Sequence, residues 1–189
     1  MSWKVNMLER LKHLDAQILQ TEPLILIGEA VGLHSRFKLY DYAQQLSEKL
    51  SEFPCKMLQY NPEQLLKSME EGRAVVVTNL DTGRLEAFAQ IWKYGISEKG
   101  QDIYEFGSWL GFEKGRRKLA LAAGIKLGEI LYPNAQLIAV VEQNNLEAQN
   151  IIQSFGGIEI PGKYSPVLRN VKGEPAWMKR YDITLKGGV

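Results

Sequence analysis

The sequence predicts one α/β domain, of the α+β kind in which helices and strands share a single core. Three observations carry that prediction. Helical and strand periodicities alternate along the chain, two apolar runs flank a turn as in a hairpin, and a basic, glycine-containing turn joins a strand to a long helix. With 189 residues, 45% of them hydrophobic, the chain is long enough to bury its apolar side chains in one core.

Residues 4–20 place Met7, Leu8, Leu11, Leu14, Ile18 and Leu19 at helical spacing. Residues 41–53 repeat the pattern through Tyr42, Leu46, Leu50 and Phe53, so the first third is expected to be largely helical. Between them, residues 23–27 read as a strand or a buried turn. After a short strand at 56–60, Asn61-Pro62-Glu63 combines a cap, a proline at the first helical position and an early acid, with Leu65, Leu66 and Met69 on the inner face and Gly72 as the stop. The apolar run 74–78 precedes turn chemistry at Asp81-Thr82-Gly83. Leu85, Ala87, Ala89 and Ile91 then alternate with Glu86, Phe88, Gln90 and Trp92, which predicts an antiparallel hairpin.

Residues 103–110 form a further strand, in which the isolated Gly107 marks a bulge or a close backbone approach. Residues 111–132 begin with glycine and basic residues and become an Ala/Leu-rich helix. A buried strand at 136–141 leads to a helix with Ala148, Ile151, Ile152 and Phe155 on one face and Gly156-Gly157 as its stop. Strands at 158–160 and 177–185, joined by a Pro/Gly/Lys-containing loop, complete the chain.

Composition excludes several classes of function. The 23 basic and 22 acidic residues nearly cancel, so no whole-protein field would hold the chain on nucleic acid or an anionic membrane. Cys55 is the only cysteine, and His13 and His34 are the only histidines, which argues against a disulfide framework, a metal centre or a Ser-His-Asp enzyme. The charged N-terminus lacks the apolar core of a signal peptide, and no apolar run approaches membrane-helix length, so a cytoplasmic location is expected.

Any anion site must therefore be local. Lys114, Arg116, Arg117 and Lys118 crowd onto the start of the 111–132 helix, where the macrodipole is already positive. A bound anion or an acidic neighbour must offset that charge, and the free N–H groups of a first helical turn suit phosphate.

After the next strand come Asn145, two residues, Ala148 and a helix that ends at Gly156. Together, the strand, basic loop, helix, strand and this motif resemble the central half of the GCN5-related N-acetyltransferases. The resemblance covers about residues 74–185. It implies a mixed, mostly antiparallel sheet whose central parallel pair, 103–110 and 136–141, splays apart to admit the pantetheine arm of acetyl-CoA. Outside it, a helical extension at 1–60 is expected to pack on an acetyltransferase-like region at 61–189, within one structural domain.

The implied cofactor-binding set is Leu110, Gly111 and Phe112 at the strand end, Gly115, Arg116, Arg117, Lys118, Leu119 and Ala120 in the pyrophosphate turn, and Asn145 and Ala148 on the next helix. The chain departs from the family in that turn, where Gly115 and Lys118 stand in place of Gln or Arg and of glycine, and only Ala120 fits. The family's tyrosine acid falls on Ile152, and Gly157 replaces an aromatic residue. Glu105 is the candidate base, with Glu86 and Glu142 as weaker alternatives. Ser154, Tyr164 or water would supply the acid. Tyr104, Phe106, Trp109 and Phe112 read more readily as sheet packing than as an acceptor wall.

The loop at 161–174, with Lys163, Tyr164, Arg169 and Lys172, could cover the acceptor or mediate a homodimer. The expectation is an acetyl-CoA-dependent N-acetyltransferase acting on an amine of a small molecule or protein, with no metal. The alternative is a non-catalytic module that binds acyl-CoA or a protein partner.

Overall fold

The protein is described by a computed structural model, which covers residues 18–19, 24–27, 35–52, 59–79, 81–164 and 177–184. In chain order the elements are β1 (Ile18–Leu19), β2 (Leu24–Ile27), α1 (Arg36–Ser51), α2 (Pro62–Glu70), β3 (Ala74–Thr78), β4 (Leu85–Ile96), β5 (Asp102–Gly111), α3 (Arg116–Leu131), β6 (Gln136–Glu142), α4 (Leu146–Ser154), β7 (Ile158–Tyr164) and β8 (Met178–Asp182). The strands form one sheet in the order β1-β2-β3-β4-β5-β6-β8-β7. Every neighbouring pair is antiparallel except β5 and β6.

Local chemistry sets the helix starts. Ser35 accepts the Lys38 N–H ahead of α1, and Asn61 forms a reciprocal capping box with Gln64 ahead of α2, as the Asn-Pro-Glu signal predicts. The hairpin β3–β4 turns at 81–83, where Asn79 Oδ1 accepts the N–H groups of Asp81 and Thr82.

Both faces of the central sheet are covered. On one face α3 and α4 bury Ala120, Leu121, Ile125 and Ile152 against Val75, Ala87, Ile91 and Phe106. On the other, Leu39, Leu46 and Leu65 of α1 and α2 pack against Val76, Phe88 and Leu110. Burial on both sides explains why β3 reads as an unbroken apolar run. Helix α3 lies close on its sheet: a Cβ on Gly124 would overlap the Phe106 ring, and one on Gly128 would stand 2.7 Å from Leu137.

The N-terminal third departs from expectation in one respect. Ile18 and Leu19, counted as the end of a helix, instead pair with Leu26 and Ile25 as edge strand β1. Two apolar residues at helical spacing fit either state, and here the ladder to β2 satisfies their backbone groups. The open reading at 23–27 resolves as strand β2, paired with β3. The helix expected at 4–17, and residues 56–58 of the expected short strand, lie outside the described residues. Gln59 and Tyr60, at the end of that stretch, are irregular rather than strand.

Candidate active site

The site is built where β5 leaves its partners. Parallel pairing of β5 with β6 runs from Ile103↔Gln136 to Phe106↔Ala139 and stops, although the strands continue to Gly111 and Glu142. On its other side β5 carries an extra residue, since β4 advances two positions from Phe88 to Gln90 while β5 advances three from Gly107 to Leu110. Ser108 sits in this bulge at φ 47°, the one non-glycine with positive φ among the described residues. Gly107 borders the expected bulge, and what approaches it closely is a side chain rather than backbone, since the Trp92 ring lies where a Cβ would be.

The divergence opens a cleft of about 590 Å³ lined by Gly107, Leu110, Val140, Glu142, Asn145 and Arg117, among others. The Leu110 side chain turns into the α1/α2 core, which leaves its backbone to the cleft. Ala148 also lines the cleft, while Asn145 Oδ1 accepts the Ala148 N–H at 3.1 Å and so caps α4. Asn145 is a cap and a cleft residue at once.

The basic turn is shorter than its sequence suggests. Gly115, at φ 83°, is the residue before α3, so Arg116, Arg117, Lys118, Leu119 and Ala120 are already helical. Lys118 N–H donates to Gly115 O at 3.2 Å, and Ala120 is buried in the core. Gly111 abuts the helix start, where a Cβ would lie 3.1 Å from the Arg117 nitrogen. Phe112 packs against the α1/α2 core and donates its N–H to Glu86 O at 2.8 Å.

Acidic neighbours answer Arg116 and Arg117. Arg116 Nε lies 2.7 Å from Glu86 Oε2, so Glu86 is a counter-ion, further held by Asn79 Nδ2 at 3.2 Å. Arg117 stands 5.6 Å from the Trp109 ring centroid and reaches across the cleft mouth to Glu147 Oε1 at 3.5 Å. Lys114 is exposed.

On the α1/α2 face beside the bulge, Glu105 pairs across the strands with Trp92. Burial pushes its carboxyl up to about 7, against a smaller downward pull from a bond with the Trp92 side chain. Tyr60 is 6.2 Å from Trp92, centroid to centroid, and bonds to Ser108, whose Oγ accepts Gln90 Nε2 at 2.9 Å. Trp92, Tyr60, Ser108 and Gln90 escaped the sequence reading as site residues. Gly107 alone hinted at them.

The remaining candidates lie apart from this group. Ser154 Oγ donates to Ile151 O at 2.7 Å, at the exposed end of α4 and away from the cleft lining. The Tyr164 backbone pairs with Met178 in the outer strands, and its side chain is outside the described residues. Tyr104 stacks on Tyr132 at 3.6 Å, and Phe106 and Trp109 are core residues that also border the cleft. Ile152 is fully buried and fills the space above Gly157, where any Cβ would strike it. Among the described residues no group of His, Cys, Asp or Glu could hold a metal ion, and no helix is long and apolar enough to cross a membrane.

Comparison with known structures decides the architecture. The chain aligns with yncA of Salmonella typhimurium, solved with its cofactor acetyl-CoA, at a TM-score of 0.67 over 89% of this chain and 97% of that one, with 11% identity. An acetyltransferase of the GNAT family from Streptococcus pneumoniae aligns at 0.62 over 85% and 98%, with 14% identity. A ribosomal-protein-alanine N-acetyltransferase from Brucella melitensis aligns at 0.61 over 78% and 94%, with 15% identity. The chain has the GCN5-related N-acetyltransferase fold. No family model and no curated protein sequence matches it. Within this fold the splayed pair β5–β6 and the bulge at Ser108 form the V-shaped cleft that the sequence resemblance implied.

Proposed function

We propose that this protein is an acetyl-CoA-dependent N-acetyltransferase that delivers an acetyl group to a primary amine of a small molecule or protein by direct attack. The observation that carries the reading is the cleft between β5 and β6. Past Phe106 and Ala139 the facing edges of two strands carry peptide groups with no ladder partner between them, which suits the amide-bearing pantetheine arm. The backbone at Leu110, together with Asn145 and Ala148, would hold that arm. The positive start of α3 and Arg117 at the cleft mouth would face the pyrophosphate.

Bound acetyl-CoA supplies an activated acetyl thioester. Glu105, half ionised near neutral pH, accepts a proton from the incoming ammonium or amine. Ile152 carries no acidic proton, which leaves solvent or Tyr164 as the acid on the product side.

A second reading, a non-catalytic acyl-CoA-binding module, draws support from Ile152 and from the engagement of Arg116 by Glu86. Calorimetric titration with acetyl-CoA, on the natural protein and on Arg117→Glu, tests the shared premise. Micromolar binding that weakens at least tenfold in the variant is expected; no binding to the natural protein would sink both readings. An amine screen then separates them, since transfer to any amine excludes the second.

A further inference from the structure

Glu105, the proposed base, does not stand alone on its strand. It pairs directly with Trp92 of β4, and the Trp92 ring occupies the volume a Gly107 side chain would need. The Trp92 ring can take this place only because residue 107 has no Cβ. The ring of Tyr60, on the segment entering α2, lies 6.2 Å from the Trp92 ring, centroid to centroid, and is tilted by 48° to it. The indole thus borders both Gly107 and Tyr60, and Trp92 is the side chain that bonds to the Glu105 carboxyl.

We propose that Trp92 is the positioning residue of the active site: wedged over Gly107, its indole N–H orients the Glu105 carboxylate on the face of the sheet opposite α3. The assignment rests on the acetyltransferase reading for its catalytic part. Its geometric part is independent of that reading.

The chemistry favours such an arrangement. A half-buried carboxylate on a strand has two oxygens to satisfy and a rotatable head. A single rigid donor fixes one oxygen and leaves the other for the amine proton. That bond also limits how far burial raises the carboxyl, so Trp92 opposes the desolvation and holds Glu105 near neutrality. The other titratable or charged groups described on this face include Tyr42 of α1, Tyr60 ahead of α2, Tyr94 on β4, and Arg180 and Asp182 on β8. The β8 pair is separated from Glu105 by Ile138 of β6. Burial and then Trp92 are the influences on Glu105, ahead of any of these groups.

The test uses the full chain and needs no substrate. In a ¹⁵N-labelled sample the Trp92 indole N–H resonance is expected to titrate with a midpoint near 7, and to lose that titration in Glu105→Gln. An indole resonance indifferent to pH between 5 and 9 would overturn the assignment. Trp92→Phe keeps a ring but deletes the donor, and the Glu105 side-chain carbonyl carbon is expected to titrate at least about half a pH unit higher in that variant. An unmoved midpoint overturns the proposal. The wild-type indole titration decides the matter if that variant does not fold.

For the catalytic part, the acidic limb of kcat/KM is expected to move with the carboxyl in Trp92→Phe while KM for acetyl-CoA stays within about twofold. A limb that stays still while the carboxyl midpoint moves removes Trp92 from catalysis. Failure of acetyl-CoA to bind at all would instead be seen by calorimetry and would count against the acetyltransferase reading, leaving the indole titration to judge the geometry.

Discussion

The Nε of Arg116 lies 2.7 Å from Oε2 of Glu86, which ties the first residue of helix α3 to a buried carboxylate of strand β4. A cation that the linear sequence assigns to a phosphate turn is therefore part of the scaffold. Arg117, its neighbour, sits on the cleft lining instead.

These two arginines should separate in experiment. Glu86→Gln or Arg116→Ala leaves a mostly buried charge or its partner unmatched, and a loss of about 1–3 kcal/mol is expected in chemical denaturation. Arg117→Ala breaks a largely exposed pair with Glu147 and a contact with the Trp109 ring, and should cost no more than about 1 kcal/mol. Acetyl-CoA affinity should respond in the opposite order, falling more for Arg117→Ala than for Arg116→Ala.

Asn145 joins stability to the cleft. Its side chain is the cap of α4, so Asn145→Ala is expected to lower stability by about 1 kcal/mol. Asn145→Asp keeps the cap and should recover most of that loss in a thermal melt, yet it sets a negative charge on the cleft lining. Weaker acetyl-CoA binding by the stable Asp variant would mark the second role.

Ile152 and Gly157 depart from the family pattern together because they share one volume. A Cβ on Gly157 would meet Ile152 Cγ2 and its carbonyl oxygen. Gly157→Ala is expected to cost about 1–3 kcal/mol through overpacking. In the Ile152→Ala background, which removes Cγ2, the cost should shrink, and a double-mutant cycle that returned strict additivity would contradict the shared-volume account.

Glu105 sets the pH dependence. Its carboxyl titrates at about 7 rather than the ordinary 4.5 because burial disfavours the anion. As a base it acts when ionised, so kcat/KM should climb about tenfold per pH unit below 7 and level off above it. Glu105→Gln should flatten that limb and slow turnover about 10²- to 10⁴-fold. The sign for stability is opposite. The folded carboxyl holds its proton more tightly than the unfolded one, so this group's contribution is fully present below pH 4.5 and is lost as pH rises through 7.

The sequence by itself determined what depends on neighbours a few positions away. Asn61 and Asn145 announce the starts of α2 and α4 because a cap bonds an N–H three residues on. The β3–β4 hairpin and the break at Gly107 follow from turn chemistry and from the scarcity of glycine inside strands. Only the tertiary structure decided the rest. That Ile18 and Leu19 pair as a strand, that Arg116 answers Glu86, and that Trp92 lies over Gly107 beside Glu105 are all results of sheet pairing between distant segments. No periodicity encodes which residue a strand will face across a ladder, because register is a property of two chain segments and burial a property of the whole fold.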